Sequence, residues 1–499
     1  MREFGLGNLS GKVEMDMFGG LTKTSSRIAI AAALGFALGG YALSTPAKAA
    51  DLGGDCCADL EERVAELEAT TVRKGNKKVS VTISGWVIKS LNWWSDGDID
   101  SVYIADKSYD LGSRFAITGS ATIAPGWSAG YNLTVNTMST QFGVLGTGVG
   151  SNQFDEGPGT FGAISTLYSY MYVKSDKYGT LNWGHLSPAS DNPAVLADIS
   201  GTVIESNAVY FEGASFFLRP KGAPSGYAGL STLSWANFVQ CTGLAGGAAG
   251  IGADCWGAAQ PAVRYDSPTF GGFRLETSYG TNELTGPAFG FTTPNSNFWD
   301  IAAFYNGDWG NFKVSAAYAY TWIETAVSTG NQGDLHQVGA TVNHSPSGLG
   351  IYGLYQNESS SGAPSTDVWY LKPFIKRNWN PLGATVLYGE YGQYNDQYAT
   401  LVGGNLCGTG AFGGPTTNAG GYCANNIANT VTVTGSEMER WGLGAVQEID
   451  AAAMHLFARW QHQDADIDFV GTNAAGVSNR VGQDFDDWDL FQVGGIIFF

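Results

Sequence analysis

Along most of this chain apolar and polar residues alternate one for one. In "KVSVTISGWV" Val79, Val81 and Ile83 share one face, while Ser80, Thr82 and Ser84 share the other. "FRLETSYG" repeats the pattern, with Phe273, Leu275, Thr277 and Tyr279 opposite Arg274, Glu276 and Ser278. A period of two is the signature of β-strands whose two faces meet different surroundings. Turn signals cut the alternation into hairpins. Short turns fall at 124–127, 176–179, 266–272, 307–310, 345–348, 378–383 and 448–451. Longer Gly/Ser/Asn-rich connections fall near 95–108, 139–161, 187–260, 281–296, 324–332, 359–365, 397–435 and 466–485. Seven short turns alternating with eight long connections imply sixteen antiparallel strands, with both chain ends on the short-turn side. The chain stops on "FQVGGIIFF", so Phe499 still belongs to a strand, with Phe491, Val493 and Ile497 on its face.

The first part of the chain breaks this pattern. Lys23 and Arg27 precede the apolar run "IAIAAALGFALGGYAL" (28–43), and "AKA" at Ala47–Ala49 is a small-x-small cleavage site. Residues 1–49 therefore read as a secretory signal peptide, with Met17 as an alternative start. Residues 50–77 follow as a periplasmic segment. Within it Cys57, Leu60, Val64, Leu67 and Thr71 step by three and four, the seam of a short helix. That helix either assembles with other copies or packs on its own barrel; two heptads do not decide. Residues 78–499 carry the strands.

Composition settles what the strands cross. Charged residues make up 14 % of the 499, aromatics 13 %, and Gly accounts for 70; ordinary soluble domains are about 25 % charged. Outside the signal peptide there is no apolar run long enough for a transmembrane helix, which leaves a closed β-barrel as the way through a bilayer. The fold class expected is thus all-β, a 16-stranded antiparallel transmembrane β-barrel with a short N-terminal periplasmic helix. Apolar residues face lipid and polar residues the lumen. Trp93, Trp94, Trp127, Tyr172, Trp183, Trp299, Trp309, Trp322, Trp441, Trp460 and Trp488 sit near predicted strand ends, as interfacial girdles require. The formal net charge of −19 argues against nucleic acid as a partner. Cys241 with Cys255, and Cys407 with Cys423, are near neighbours in Gly-rich loops and read as local disulfides of an exported protein. Cys56 and Cys57 are left unassigned.

Three stretches resemble a known family. "RYDSPTFGGFRLETSYG" (264–280) is similar to the hairpin that follows the long third loop of trimeric general porins. "DCCADLEERVAELEATTVRKGNKKVSVTISG" (55–85) resembles the N-terminus of the major porins of alphaproteobacteria. Phe499 with its strand resembles the signal by which the barrel assembly machinery recognises its clients. The resemblance implies a homotrimer in outer-membrane lipid and lipopolysaccharide, with the third long loop, here 187–260, folded inward to narrow the pore. It implies passive diffusion of small hydrophilic solutes and ions.

The chemistry expected is therefore selectivity rather than catalysis. A porin eyelet sets acidic loop residues against basic wall residues, and the transverse field sorts solutes by charge. The loop candidates are Asp191, Asp198, Glu205 and Glu212. On the wall, strand parity points Arg114, Arg459 and Lys372 into the lumen, with Arg440 near the outer mouth. No catalytic, cofactor or metal motif competes with this. The five histidines form no HExxH, "GTGAFG" (408–413) has no helix after it, and "DADID" (464–468) lacks the rest of a calcium loop. Two other readings stay open: a substrate-selective channel, which needs aromatics along the lumen, and a barrel anchoring the outer membrane to peptidoglycan through Ala50.

Overall fold

The computed structural model describes residues 78–107, 112–138, 163–208, 216–223, 225–226, 230–231, 233, 235–238, 259–282, 296–325, 332–360, 365–397, 430–472, 476–481 and 484–499. The signal peptide, the periplasmic helix, Ala50, Glu212 and all six cysteines lie outside them.

Eighteen β-segments form one antiparallel sheet. In chain order they are β1 (Thr82–Ser95), β2 (Asp100–Ala105), β3 (Arg114–Ala124), β4 (Trp127–Met138), β5 (Ala163–Ser175) and β6 (Gly179–Leu186). After a long connection come β7 (Gln260–Asp266), β8 (Phe273–Asn282), β9 (Ser296–Trp309), β10 (Phe312–Thr325), β11 (Gln332–His344) and β12 (Leu349–Ser360). The last six are β13 (Thr366–Asn380), β14 (Gly383–Asn395), β15 (Thr430–Ile449), β16 (Met454–Thr472), β17 (Ser478–Val481) and β18 (Trp488–Phe498). Both β2 and β3 pair along β1, one above the other, so they are two pieces of one stave. Likewise β17 and β18 both pair along β16. Eighteen segments thus make sixteen staves.

The sheet closes where β1 meets β18, from Trp86 opposite Phe498 to Ser95 opposite Asp489. Phe499 extends this seam, donating its N–H to the Gly85 carbonyl at 3.0 Å and accepting the Gly85 N–H at 2.9 Å. Pairing from stave to stave round to this seam closes the sheet on itself, the condition for a sheet to exist in hydrocarbon. Ile83, Val87, Leu91, Phe273, Leu275 and Tyr279 are exposed on the outer wall, while Ser278, Glu276 and Thr118 are buried inside, as the alternation requires.

Three differences from the sequence reading share one cause. The expected connections at 95–108 and 466–485 are partly strand, holding β2, the end of β16 and β17. In "DADIDF" (464–469) the polarity is inverted: Asp464, Asp466 and Asp468 are exposed while Ala465, Ile467 and Phe469 are buried. Trp94 and Trp488, expected in a girdle, are fully buried and packed on Phe216. Beyond the hydrocarbon the outer face meets water, so strands there follow the apolar-in pattern of a soluble protein. Tyr172 also departs from the girdle; its hydroxyl lies over Gly130 of the neighbouring β4.

Candidate functional site: the loop inside the barrel

The connection leaving β6 turns into the lumen. Arg264 on β7 anchors the turn, donating from Nη1 to the Ser187 carbonyl at 2.7 Å and from Nε to Asp266 at 2.7 Å. Asp300 on β9 then receives the N–H and Oγ of Ser190, at 2.8 and 2.7 Å, on one carboxylate oxygen, and the N–H of Ser278, at 2.9 Å, on the other. Asn192 adopts a left-handed conformation, with φ 54°, and Pro193 opens a single helical turn over Pro193–Leu196. Proline suits that position because its ring presets φ and its missing donor has no helical partner there.

This turn rests against β11 and β12. Gln337 Nε2 donates to the Ser190 carbonyl at 2.7 Å, Tyr352 to the Ala194 carbonyl at 2.8 Å, and Thr341 to the Ala197 carbonyl at 2.6 Å. Gly339 makes the approach possible, since a Cβ there would fall on the Ala194 carbonyl. A loop with no ladder of its own must find partners for its backbone polar groups. Here inward-pointing side chains of the barrel supply them.

Further along, the fastening becomes ionic. Lys372 on β13 places Nζ 2.8 Å from Asp198 and 3.1 Å from the Thr202 hydroxyl, and also donates to the Ser206 carbonyl. Both charged side chains are 0 % exposed. Glu390 on β14 accepts from Tyr370 at 2.5 Å, from Gln461 at 3.1 Å and from Ser206. Arg440 on β15 lies 3.7 Å from Glu390, donates to the Asn207 carbonyl, and sits against the rings of Tyr370 and Tyr394. Glu205 pairs with His455 of β16, and Tyr394 donates to the Ala208 carbonyl at 2.6 Å. Charges this deep require pairing, because an unpaired one carries the whole cost of desolvation.

Of the residues singled out from sequence, Asp191, Asp198 and Glu205 lie on the inward leg, and Lys372 and Arg440 lie on the wall directly behind it. Lys372 and Arg440 therefore meet the loop at contact distance, not across an aqueous gap. Arg114 on β3 belongs to a different sector of the wall, while Arg459 stands on β16, the stave that also carries His455 and Gln461. The Arg114 guanidinium stacks 4.7 Å from the Trp86 ring, and Arg459 donates to Gln492 at 3.1 Å. Glu390, Asp300 and the inward tyrosines Tyr352, Tyr370, Tyr388 and Tyr394 escaped the sequence reading. Parity alone marks them as inward, but nothing in the sequence says that a loop will cover them. Those tyrosines are buried beneath or beside the loop. Tyr352 and Tyr394 fasten it directly, Tyr370 acts through Glu390, and the four do not form an exposed aromatic track.

A closed sixteen-stave barrel with an outward apolar wall and a loop drawn into its lumen is the architecture of an outer-membrane pore. The comparisons with known proteins agree. The family described as Gram-negative porin matches residues 31–466, so the chain belongs to that family. The structure is similar to an anion-selective porin from Comamonas acidovorans, at 15 % identity and TM-score 0.51, over 84 % of this chain and 100 % of that one. It also matches OmpT of Vibrio cholerae in its trimer form, at 12 % identity and TM-score 0.45, over 85 % of this chain and 100 % of the other. OmpF of Salmonella typhi in complex with daunomycin matches at 12 % and 0.46, over 85 % and 99 %. No curated protein sequence matches the chain. The protein is a general diffusion porin of the Gram-negative outer membrane, a channel and not an enzyme.

Proposed function

We propose that the inward leg of the 187–260 loop sets the main constriction, and that the charges around it divide into two roles. Lys372 and Arg440 neutralise the loop and hold it to the wall; Arg114 and Arg459, further round the wall, give the passage its charge preference. Asp191, Asp198, Glu205 and Glu212 supply the acidic side. The observation that carries this reading is the buried Lys372–Asp198 pair, which ties the loop to a barrel stave at 2.8 Å.

We further propose a homotrimer of the alphaproteobacterial porin type. The N-terminal segment supports the subfamily. A charge on the outer wall supports the assembly: Lys89 is partly exposed between Val87 and Leu91 on β1, its partner Asp106 being buried. A charged side chain is costly against acyl chains and suits a wall covered by protein. Signal cleavage after Ala49, the two disulfides and assembly through Phe499 belong to the same reading.

Single-channel recording in a planar bilayer under a KCl gradient tests both parts. Closure in three equal steps is expected, with a reversal potential that moves toward cation preference in Arg114→Gln and Arg459→Gln. An unchanged reversal potential in both variants would overturn the assigned selectivity, and single-step closure the trimer.

A further inference from the structure

After the inward leg, the long loop does a second thing. Its described residues between 216 and 238 return to the mouth on the long-connection side, which in an outer-membrane porin is the extracellular side. There they sit between the two halves of the barrel seam. The Phe216 ring packs edge-on against Trp94 of β1 at 4.7 Å and against Trp488 of β18 at 5.2 Å. Backbone bonds join Leu218 to Leu233 and Ser231, and Trp235 to Phe216, folding the segment on itself. Two more tie it to the approach to β18: Lys221 N–H to the Asp484 carbonyl and Asp486 N–H to the Arg219 carbonyl, both at 2.8 Å. At its far end the turn Trp235–Phe238 lies against β15. The segment therefore runs along the rim of the mouth over four neighbouring staves, those of β1, β18, β16 and β15.

One buried cation locks it. Arg219 grips Asp96 with Nε and Nη2, at 3.1 and 3.0 Å, reaches Asp98 at 3.4 Å, and donates to the Gly226 carbonyl at 3.0 Å. Asp98 in turn accepts the Gly226 N–H at 2.7 Å. Asp96 and Asp98 lie in the tight connection between β1 and β2, so the lock joins loop to barrel.

We propose that this return leg builds a second constriction at the extracellular mouth, in series with the inward leg, and that Phe216 and Arg219 hold it shut over the β1–β3 and β18 sector. Solute size is then limited first at this mouth, and the path into the barrel is displaced away from the seam.

Two experiments test it. On the unaltered protein, polyethylene glycols of graded mass are added to one side of oriented single channels. A mouth roofed on one side excludes, from that side, polymers that the periplasmic side admits, so the two mass cut-offs differ. Equal cut-offs would overturn the proposal, whatever any variant does. In Phe216→Ala and Arg219→Gln, single-channel conductance is expected to rise by about twofold or more, because a series constriction is widened. Liposome swelling should admit larger oligosaccharides. Folded variants with unchanged conductance and unchanged size limit would show the segment to be packing only. A fault in the lower site instead shows in the reversal potential of the Arg114 and Arg459 variants, so failure of the two readings is distinguishable.

Discussion

Replacing Lys372 by methionine removes the cation that holds the inward leg. The Asp198 carboxylate would stay at 0 % exposure with its ion partner gone, and the Thr202 hydroxyl and Ser206 carbonyl would each lose a donor. Breaking one side of a buried pair costs about 3–5 kcal/mol. The leg escapes part of this by opening toward water, so the cost appears as an easier local opening, not as lost barrel stability. At 1.4 kcal/mol per factor of ten, opening becomes roughly 10²- to 10³-fold more frequent. Hydrogen exchange of the folded protein in detergent reads this directly. The leg has its own bonded amides as probes, Leu196 N–H to the Asn192 carbonyl and Ser206 N–H to the Thr202 carbonyl. Their exchange should quicken by that factor, while amides of β8 to β10 stay unchanged. The double variant Asp198→Asn, Lys372→Met removes both charges and should recover most of the protection, since coupled neighbours are non-additive. Wild-type exchange in Lys372→Met, or a double variant as fast as the single costs combined, would refute the idea that this pair fastens the loop.

Other outcomes follow from the same contacts. Gly339→Val pushes a side chain into the Ala194 carbonyl; overpacking of this kind costs about 1–3 kcal/mol, and the leg's amides should exchange faster while the barrel's melting temperature barely moves. Deleting Phe499 removes two closing backbone bonds to Gly85, and heat-modifiability on gels should show the seam opening at a lower temperature. Acid should spare the extracellular lock until late. The Gly226 N–H, then the Ser225 hydroxyl, hold the Asp98 carboxyl below its ordinary value, helped by Arg219 and opposed by desolvation. Its stabilisation is complete above the ordinary aspartate value and is lost as pH falls through the lowered one. Burial, with Asp96 and Asp487 nearby, raises Asp486 against the pull of Lys221 and Arg219, so Asp486 takes its proton first and relieves the folded state. Near-ultraviolet dichroism of Trp94 and Trp488 should therefore hold down to about pH 4 and change only below it; a transition between pH 5 and 7 would contradict the assignment.

The staves could be read from the chain because their two faces meet chemically opposite surroundings, and a period of two records that contrast residue by residue. Val81, Ile83, Leu275 and Tyr279 outside, with Arg114, Lys372 and Arg459 inside, needed only parity. Several turns were equally legible, as at 176–179 and 345–348, because Gly, Pro and Asp carry local backbone preferences. What the sequence could not state is which inward residues meet one another. Lys372 and Asp198 are 174 residues apart, with the six staves β7 to β12 between them, and no local preference brings them together. Nor could it show that Trp94 and Trp488 are covered, because that depends on Phe216, a residue of a loop whose path is set only by side chains from distant staves. Alternation in a strand reports the surroundings of each face; it does not say whether the inner face meets water, a buried loop or a cap. Local patterning therefore determined the barrel, and long-range pairing, assembled only in the tertiary structure, decided how its lumen is filled.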